Sequence, residues 1–283
     1  MTRKFGIIGC PIEHSVSPVM HNAAFEHCKI DAVYNRILVN PEDLKTSLIK
    51  IFKEYEGFNI TIPHKTKVIS FLEQKEDMAK QIGAVNTAYR HNNQWIGANT
   101  DVYGFTRCLK EQFGSVQDKT CTVLGSGGAA RAVIFSLIHE GIGKIKIFAR
   151  DSLKSAAIIS DVEKINSNAN KLIEYYALKN QDKKSFRKNF QCDVLVNTTP
   201  SGMKKDDSSY FDFDLLNKNM FVYDLIYNPP MTPLLDAAKK IGCLYVNGLD
   251  MLLYQGAESF HIWTGVEPPI DVMRQALQKA IYG

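Results

Sequence analysis

The chain has no closely spaced cysteines. Its six (Cys10, Cys28, Cys108, Cys121, Cys192 and Cys243) are scattered along 283 residues without a Cys-x-x-Cys pair. That spacing argues against a metal site or a disulfide framework, and the thiols read as buried groups in a reducing cytoplasm. No stretch is long and apolar enough to span a bilayer. Residues 1–9 resemble the start of a strand and lack the long apolar core of a secretory signal. A dominant charge sign is also missing. Lys and Arg number 34 against 30 Asp and Glu, a formal net charge of +4, with the two signs interspersed. That suits a small anionic ligand and is no nucleic-acid footprint. No internal repeat is evident. The apolar fraction of 45% is that of a globular protein, and the length suits one large domain or two ordinary ones.

What the chain does have is a glycine-rich turn in mid-sequence, Gly125-Ser126-Gly127-Gly128-Ala129-Ala130. The apolar run 121–124 before it reads as a buried strand. Ala130, Val133, Ile134, Leu137 and Ile138 follow at helical spacing, and a second apolar run occupies 145–149. Strand, glycine turn, helix and strand in this order form the context in which G-x-G-x-x-G/A means dinucleotide binding. Gly125 allows the tight turn, Gly127 lets the backbone approach a pyrophosphate, and Ala130 permits close packing of helix on strand. The helix start then offers free N–H groups to the phosphates. An ordinary glycine-rich turn between strand and helix is the alternative, which the flanking order disfavours.

The second strand of a NAD site usually ends in Asp or Glu, which takes the ribose hydroxyls. Here Ala149 holds that position, followed by Arg150, Asp151 and, after two residues, Lys154. Arg150 and Lys154 suit a 2′-phosphate and favour NADP. Asp151 argues against it by repulsion, so NAD is not excluded. Arg150 also reads as a solvated charge at a strand end.

Elsewhere the pattern predicts strands at 5–9, 33–39 and 57–62. Ser17 and Pro18 open a helix, with Ser17 as N-cap and Pro18 at the first helical position. Asn40-Pro41 repeats that start for a helix with Leu44, Leu48, Ile51 and Tyr55 on its apolar face. Segments 85–90 and 94–98 flank Asn92-Asn93 as a hairpin. Later strands fall at 193–197, 220–225 and 244–246, and helices at 250–263 and 269–281. The polar stretches 180–189 and 204–209 read as exposed loops.

Four polar clusters sit at predicted strand ends, where ligand residues of α/β sheets gather. They are Ser15-Val-Ser17, Asn59-Ile-Thr61-Ile-Pro63-His64-Lys65, Gly83-Ala-Val-Asn86-Thr87 and Gly97-Ala-Asn99-Thr100-Asp101. Each has a plain structural reading. Ser17 and Asp101 can cap helices, Lys65 can be a solvated lysine, and Asn59, Thr61, Asn86 and Asn99 can be turn-side polar groups. Their joint placement opposite a cofactor domain is more telling than any one of them.

These clusters, in this order, resemble the shikimate dehydrogenase family over essentially the whole chain. Asn197-Thr198-Thr-Pro-Ser-Gly-Met203, Asp224-Leu225-Ile-Tyr227-Asn-Pro229 and Gly248-Leu-Asp-Met251-Leu-Leu-Tyr-Gln255 extend the resemblance through the second half. It implies an α/β fold with an N-terminal α/β substrate domain and a Rossmann-type dinucleotide-binding domain, and an active site in the cleft where they meet. Residues 1–103, completed by helices at 250–283, would hold substrate, and 104–249 would hold NADP. The implied reaction is reversible hydride transfer between NADPH and 3-dehydroshikimate, giving shikimate, in aromatic amino acid biosynthesis. Ser15 and Ser17, helped by Tyr227, would bind the substrate carboxylate. Asn59, Thr61, Asn86, Asp101 and Gln255 would complete the substrate site, and Lys65 paired with Asp101 would be the acid–base group. Gly125 to Ala129, Ala149, Arg150, Asp151 and Lys154 would meet the cofactor's phosphates and adenosine. Thr198, Leu225, Gly248 and Met251 would line its nicotinamide side, and Asp77 would lie near the cofactor. The chain departs from the family pattern in having Ser126 for the usual Ala and Ala149-Arg150-Asp151 for the usual Asn-Arg-Thr.

Two other readings stand beside this one: a quinate/shikimate dehydrogenase using NAD or both cofactors, and a non-catalytic NADP-sensing protein. The second would be expected to have lost the Lys–Asp pair, and both residues are present. The expected setting is cytoplasmic, with no membrane, nucleic-acid or metal partner, as a monomer or homodimer.

Overall fold

A computed structural model describes residues 2–283 apart from Ser167, Lys188, Gln191, 179–186 and 205–210. The expected loops at 180–189 and 204–209 therefore fall almost wholly outside the described residues. The chain forms two compact units, Met1–Gly104 with Leu252–Gly283, and Phe105–Met251.

The first unit contains β1 (Arg3–Gly9), α1 (Ser17–His27), β2 (Ala32–Leu38), α2 (Leu44–Glu54), β3 (Gly57–Ile60), a 3-10 turn (Lys67–Phe71), β4 (Gln74–Lys75), α3 (Asp77–Ile82), β5 (Thr87–His91) and β6 (Gln94–Ala98). Its sheet has the order β2-β1-β3-β5-β6-β4. Strands β2, β1 and β3 are parallel, while β5 runs antiparallel to β3 and β6. The β5–β6 turn is the expected hairpin. Asn92 (φ 49°) and Asn93 (φ 61°) both take the left-handed conformation that a two-residue turn matching strand twist requires.

Alternation along β1 sends side chains to both faces of the sheet. Ile8 packs with Leu44, Leu48 and Ile51 of α2, and with Phe58 and Trp95. Phe5 points the other way, meets Phe25 of α1 at a tilt (5.3 Å) and stacks on Trp263 (5.1 Å). Trp263 belongs to α9 (Leu249–Thr264), which with α10 (Ile270–Tyr282) covers this second face together with α1. The indole fits because position 57 is glycine. A β-carbon on Gly57 would collide with the ring. Its Nε1 donates to the Ala88 carbonyl at 3.1 Å.

Most strand ends shift by one or two residues from expectation, and three boundaries differ for an evident reason. Val16, not Ser17, is the N-cap of α1, so Ser17 is its first helical residue and Pro18 its second. Helix α2 starts at Leu44 rather than beside Pro41, because the Asp43 N–H closes a turn onto Asn40 O first. Strand β3 ends at Ile60. Thr61 N–H still bonds Ile8 O, but Pro63 has no N–H to carry the ladder on.

The second unit is a parallel sheet. After most of α4 (Thr100–Gln112) come β7 (Thr120–Leu124), α5 (Gly128–His139), β8 (Lys144–Ala149), α6 (Ser152–Glu163), α7 (Ala169–Leu172) and β9 (Ile173–Ala177). Then follow β10 (Val194–Asn197), a 3-10 turn (Phe213–Leu215), β11 (Phe221–Asp224), α8 (Pro233–Ile241) and β12 (Leu244–Val246). The strand order is β12-β11-β10-β7-β8-β9. Read from the other edge and numbered within the unit, that is 3-2-1-4-5-6, the order of dinucleotide-binding folds. Strands β10 and β11 are buried throughout, as residues covered on both faces must be.

Candidate active site

Strands β1 and β3 are adjacent and parallel, so the loops that leave their carboxyl ends lie side by side. The Cys10 N–H donates to Ile62 O at 3.0 Å and ties the two loops together. The first carries Ser15 and Ser17. The Ser17 N–H donates to the Ser15 hydroxyl at 3.4 Å, and Arg36 Nε donates to the Ser15 carbonyl at 2.8 Å. The second carries Thr61 and Lys65. It is fixed on both sides of Lys65: buried His64 bonds Val39 O through Nε2 (2.7 Å), and the Val85 N–H donates to Lys65 O (2.8 Å).

Lys65 Nζ meets Asp101 Oδ2 at 2.5 Å, with the side chains 20% and 11% exposed. Asp101 lies in the first turn of α4, which begins at Thr100, so its carboxylate does not cap that helix. The other carboxylate oxygen, Oδ1, accepts from Asn86 Nδ2 at 2.9 Å. Asn86 Nδ2 also approaches Thr100 Oγ1 (3.0 Å) and Gln255 Oε1 (3.4 Å), while Asn86 Oδ1 accepts from the Thr100 N–H at 2.7 Å. Behind Asn86 lies Asn59, 4% exposed, which accepts from Tyr34 OH (2.6 Å) and donates to Thr87 Oγ1 and Ser259 Oγ (both 3.0 Å).

The fold thus brings Asn59, Lys65, Asn86, Asp101 and Gln255 into one connected group. Thr61 stands on the same loop as Lys65. Asp77 is not part of this group. Its side chain is 88% exposed and paired with Lys80 at 2.8 Å. Sequence reasoning missed Tyr34 and Ser259, which complete the buried network. The only signal for Ser259 was its place one helical turn beyond Gln255.

In the second unit the glycine turn leaves β7 where the strand order reverses, at the boundary with β10. Gly125 has φ +110°, a conformation that favours glycine, and a β-carbon there would press on Thr198 Oγ1 at 2.6 Å. Thr198 itself donates to Leu124 O at 2.6 Å and so braces the turn. A β-carbon at Gly127, by contrast, would point into open space. Gly127 is the N-cap of α5, whose first residues are Gly128 and Ala129, and Ala130 is fully buried against the sheet. These residues fit a pyrophosphate: open backbone, free helix-start N–H groups and no side chain in the way.

Ser126 Oγ reaches Asp151 O at 3.5 Å and joins this turn to the end of β8. Asp151 is the N-cap of α6. Its carboxylate accepts from the Lys154 N–H and pairs with Lys154 Nζ, each at 3.0 Å. The Lys154 backbone N–H, followed by its ammonium, holds that carboxyl below the usual carboxylate range. The charge of Asp151 is therefore matched within its own helix turn. Ala149 is buried and Arg150 exposed at the strand end.

Beyond β11, Leu225 and Tyr227 sit half-buried in the loop, with the Leu225 N–H on Asn197 O at 3.0 Å. Asp224 anchors this loop. It accepts from Thr232 Oγ1 (2.6 Å), Asn197 Nδ2 (2.9 Å) and the Ile226 N–H (3.1 Å), and burial pushes its carboxyl up to about 6. Gly248 and Met251 are both buried. Among the described residues no group of His, Cys, Asp and Glu is arranged to hold a metal, and no helix is long and apolar enough to cross a membrane.

A dinucleotide-binding sheet with its glycine turn at the reversal point, and a lysine–carboxylate pair at strand ends in a second α/β unit, define a nicotinamide-dependent oxidoreductase. Comparison with known proteins narrows the class. The family model for the shikimate dehydrogenase substrate binding domain matches residues 7–88, and that for the shikimate 5′-dehydrogenase C-terminal domain matches 248–278. A shikimate dehydrogenase (NADP(+)) of Methanocaldococcus jannaschii is 41% identical, covering 98% of this chain and 96% of that protein. Another, of Dictyoglomus turgidum, is 38% identical over 99% and 98%. A crystal structure of a shikimate dehydrogenase in complex with NADP+ superposes with a TM-score of 0.91 at 40% identity, covering 100% of this chain and 96% of that one. The chain belongs to the shikimate dehydrogenase family.

Proposed function

We propose that this chain is the NADP-dependent enzyme that interconverts 3-dehydroshikimate and shikimate in aromatic amino acid biosynthesis, as a cytoplasmic protein. The observation that carries the proposal is the Lys65–Asp101 pair at 2.5 Å, held in a buried polar group at the ends of β3 and β6. The glycine turn from Gly125, with Arg150 just beyond β8 and Lys154 in the first turn of α6, would hold the cofactor, which supplies or accepts the hydride when bound.

Reduction of a ketone builds negative charge on its oxygen. Lys65 Nζ stabilises that charge and delivers the proton, and takes it back in the reverse direction. Asp101 Oδ2 orients Nζ, and its second oxygen is fixed by Asn86. Ser15 and Ser17 hydroxyls bind the carboxylate. Thr61, Asn86 and Gln255 hold ring hydroxyls, with Asn59 supporting them from beneath.

Initial rates of shikimate oxidation, followed at the absorbance of reduced nicotinamide with NADP and NAD side by side, test this. Fast turnover with NADP is expected. No turnover with shikimate and either cofactor would overturn the proposal.

A further inference from the structure

Thr87 and Thr100 have no part in the chemistry given so far. Both are buried, at 0% and 2% exposure, and both bear on Asn86. Thr87 Oγ1 lies 3.1 Å from Asn86 Oδ1, 3.1 Å from Thr100 Oγ1 and 2.8 Å from Ser259 Oγ. Thr100 Oγ1 accepts from Asn86 Nδ2 at 3.0 Å and lies 3.2 Å from Ser259 Oγ.

One assignment of the protons gives every hydroxyl an acceptor. Ser259 Oγ lies 3.0 Å from the carbonyl of Gln255, a pure acceptor, so its proton goes there. Thr100 already accepts from Asn86 and sends its proton to Ser259. Thr87 accepts from Asn59 and sends its proton to Asn86 Oδ1. The two Asn86 amide protons then go to Thr100 Oγ1 and Asp101 Oδ1. Each hydroxyl proton has one acceptor, and each threonine oxygen receives one amide proton. A flipped Asn86 amide would set its NH2 against the Thr100 N–H and its oxygen against the Asp101 carboxylate.

We infer that the hydroxyls of Thr87 and Thr100 are positioning groups: they lock the Asn86 amide, which in turn locks the Asp101 carboxylate against Lys65. This rests on the reading of Lys65 and Asp101 as the acid–base pair. Thr→Val keeps the shape of the side chain and removes the hydroxyl: Thr100→Val leaves a buried Asn86 amide proton without its acceptor, and Thr87→Val leaves Asn86 Oδ1 with the Thr100 N–H alone.

The experiment compares wild type with Thr87→Val, Thr100→Val and the two Thr→Ser rescues. It reads kcat and KM, the isotope effect on kcat with shikimate deuterated at the carbon that gives up hydride, and the Asn86 side-chain NH2 resonances. In both Val variants kcat should fall roughly tenfold or more, with a smaller rise in KM because Asn86 also holds a ring hydroxyl. The isotope effect should rise as the chemical step becomes limiting, the Asn86 resonances should move, and Ser should restore all of them. A fall in active fraction alone would leave the isotope effect where it was. Should Thr100→Val fail to fold, Thr87→Val and Thr100→Ala give the same readouts. Folded Val variants with wild-type kcat, isotope effect and Asn86 resonances would overturn the inference. Wild type inert toward shikimate would overturn the functional reading instead, and the Asn86 resonances would still decide this one.

Discussion

Gly248 lies against the carbonyl of Leu225, so close that a β-carbon on Gly248 would collide with it. The Gly248 N–H donates to the next carbonyl, Ile226 O, at 3.1 Å, which prevents the two segments from separating easily. Glycine here is a packing requirement that sets the position of Leu225. Gly248→Ala should therefore push the Leu225–Tyr227 loop outward. The expected cost is about 1–3 kcal/mol of stability, with NADP affinity weakened roughly tenfold, since ~1.4 kcal/mol is one decade. Thermal melting and calorimetric titration with NADP check this. Unchanged melting and NADP affinity would remove Gly248 from this role.

The acid–base assignment has a direct test. Lys65→Ala removes the proton donor while leaving β3 and its loop anchored through backbone bonds and His64. A positioned general acid contributes roughly 10²–10⁴-fold, so kcat should drop by about that factor with an unaltered circular dichroism spectrum. Asp101→Asn has one acceptor where the carboxylate has two, so an oxygen that meets Nζ sets its NH2 against Asn86 Nδ2, and kcat should fall here too. Turnover surviving Lys65→Ala would refute the mechanism.

Cofactor preference turns on Arg150 and Asp151. Hydrogen bonds to charged groups contribute roughly 1.5–3 kcal/mol, so Arg150→Ala should raise KM for NADP about ten- to a hundredfold and leave KM for NAD within about twofold. Because Asn caps helices as well as Asp, Asp151→Asn should keep α6 intact while removing a negative charge near the 2′-phosphate. It should sharpen the preference for NADP. Equal losses with both cofactors in Arg150→Ala would show that this arginine does not meet the 2′-phosphate.

The parallel sheet around the glycine turn was legible because buried strands read as apolar runs and Gly125 and Gly127 stand at fixed offsets. The Asn92-Asn93 hairpin was legible for the same local reason. Helix α8 went unmarked although its signals were present: Thr232 caps it, Pro233 opens it and Gly242 ends it at φ +87°. Strand β9 was missed because Ile173-Glu-Tyr-Tyr-Ala neither alternates nor forms an apolar run. In the site, residues at strand ends could be picked out because topology gathers them. Tyr34 and Ser259 could not, since their bonds to Asn59 span 25 and 200 positions in sequence and nothing local distinguishes a hydroxyl that supports this network from one that faces water.

His21 makes the stability of the first unit sensitive to acid. Its ring is fully buried, stacked 4.4 Å from Tyr34 at 12° and tilted against Trp263 at 5.3 Å, and neither ring nitrogen has a hydrogen-bond partner among the described residues. Burial pushes its pKa down from 6.5 to about 3. A histidine lowered on folding stays neutral in the folded chain while the unfolded chain takes up a proton, so stability is complete above about pH 6.5 and declines as pH falls toward 3. At ~1.4 kcal/mol per pH unit, lowering pH from 6.5 to 5.0 should cost about 2 kcal/mol. Asp224 in the second unit works the other way, because its carboxyl is raised on folding and protonation in acid favours the folded form. His21→Phe keeps an aromatic ring on Tyr34 and removes both unpartnered nitrogens. The variant should be at least as stable as wild type at pH 5 and should lose most of the acid slope between pH 6.5 and 5. Urea titrations of both proteins at the two pH values measure it, and an equal slope in the variant would mean that His21 is not the group responsible.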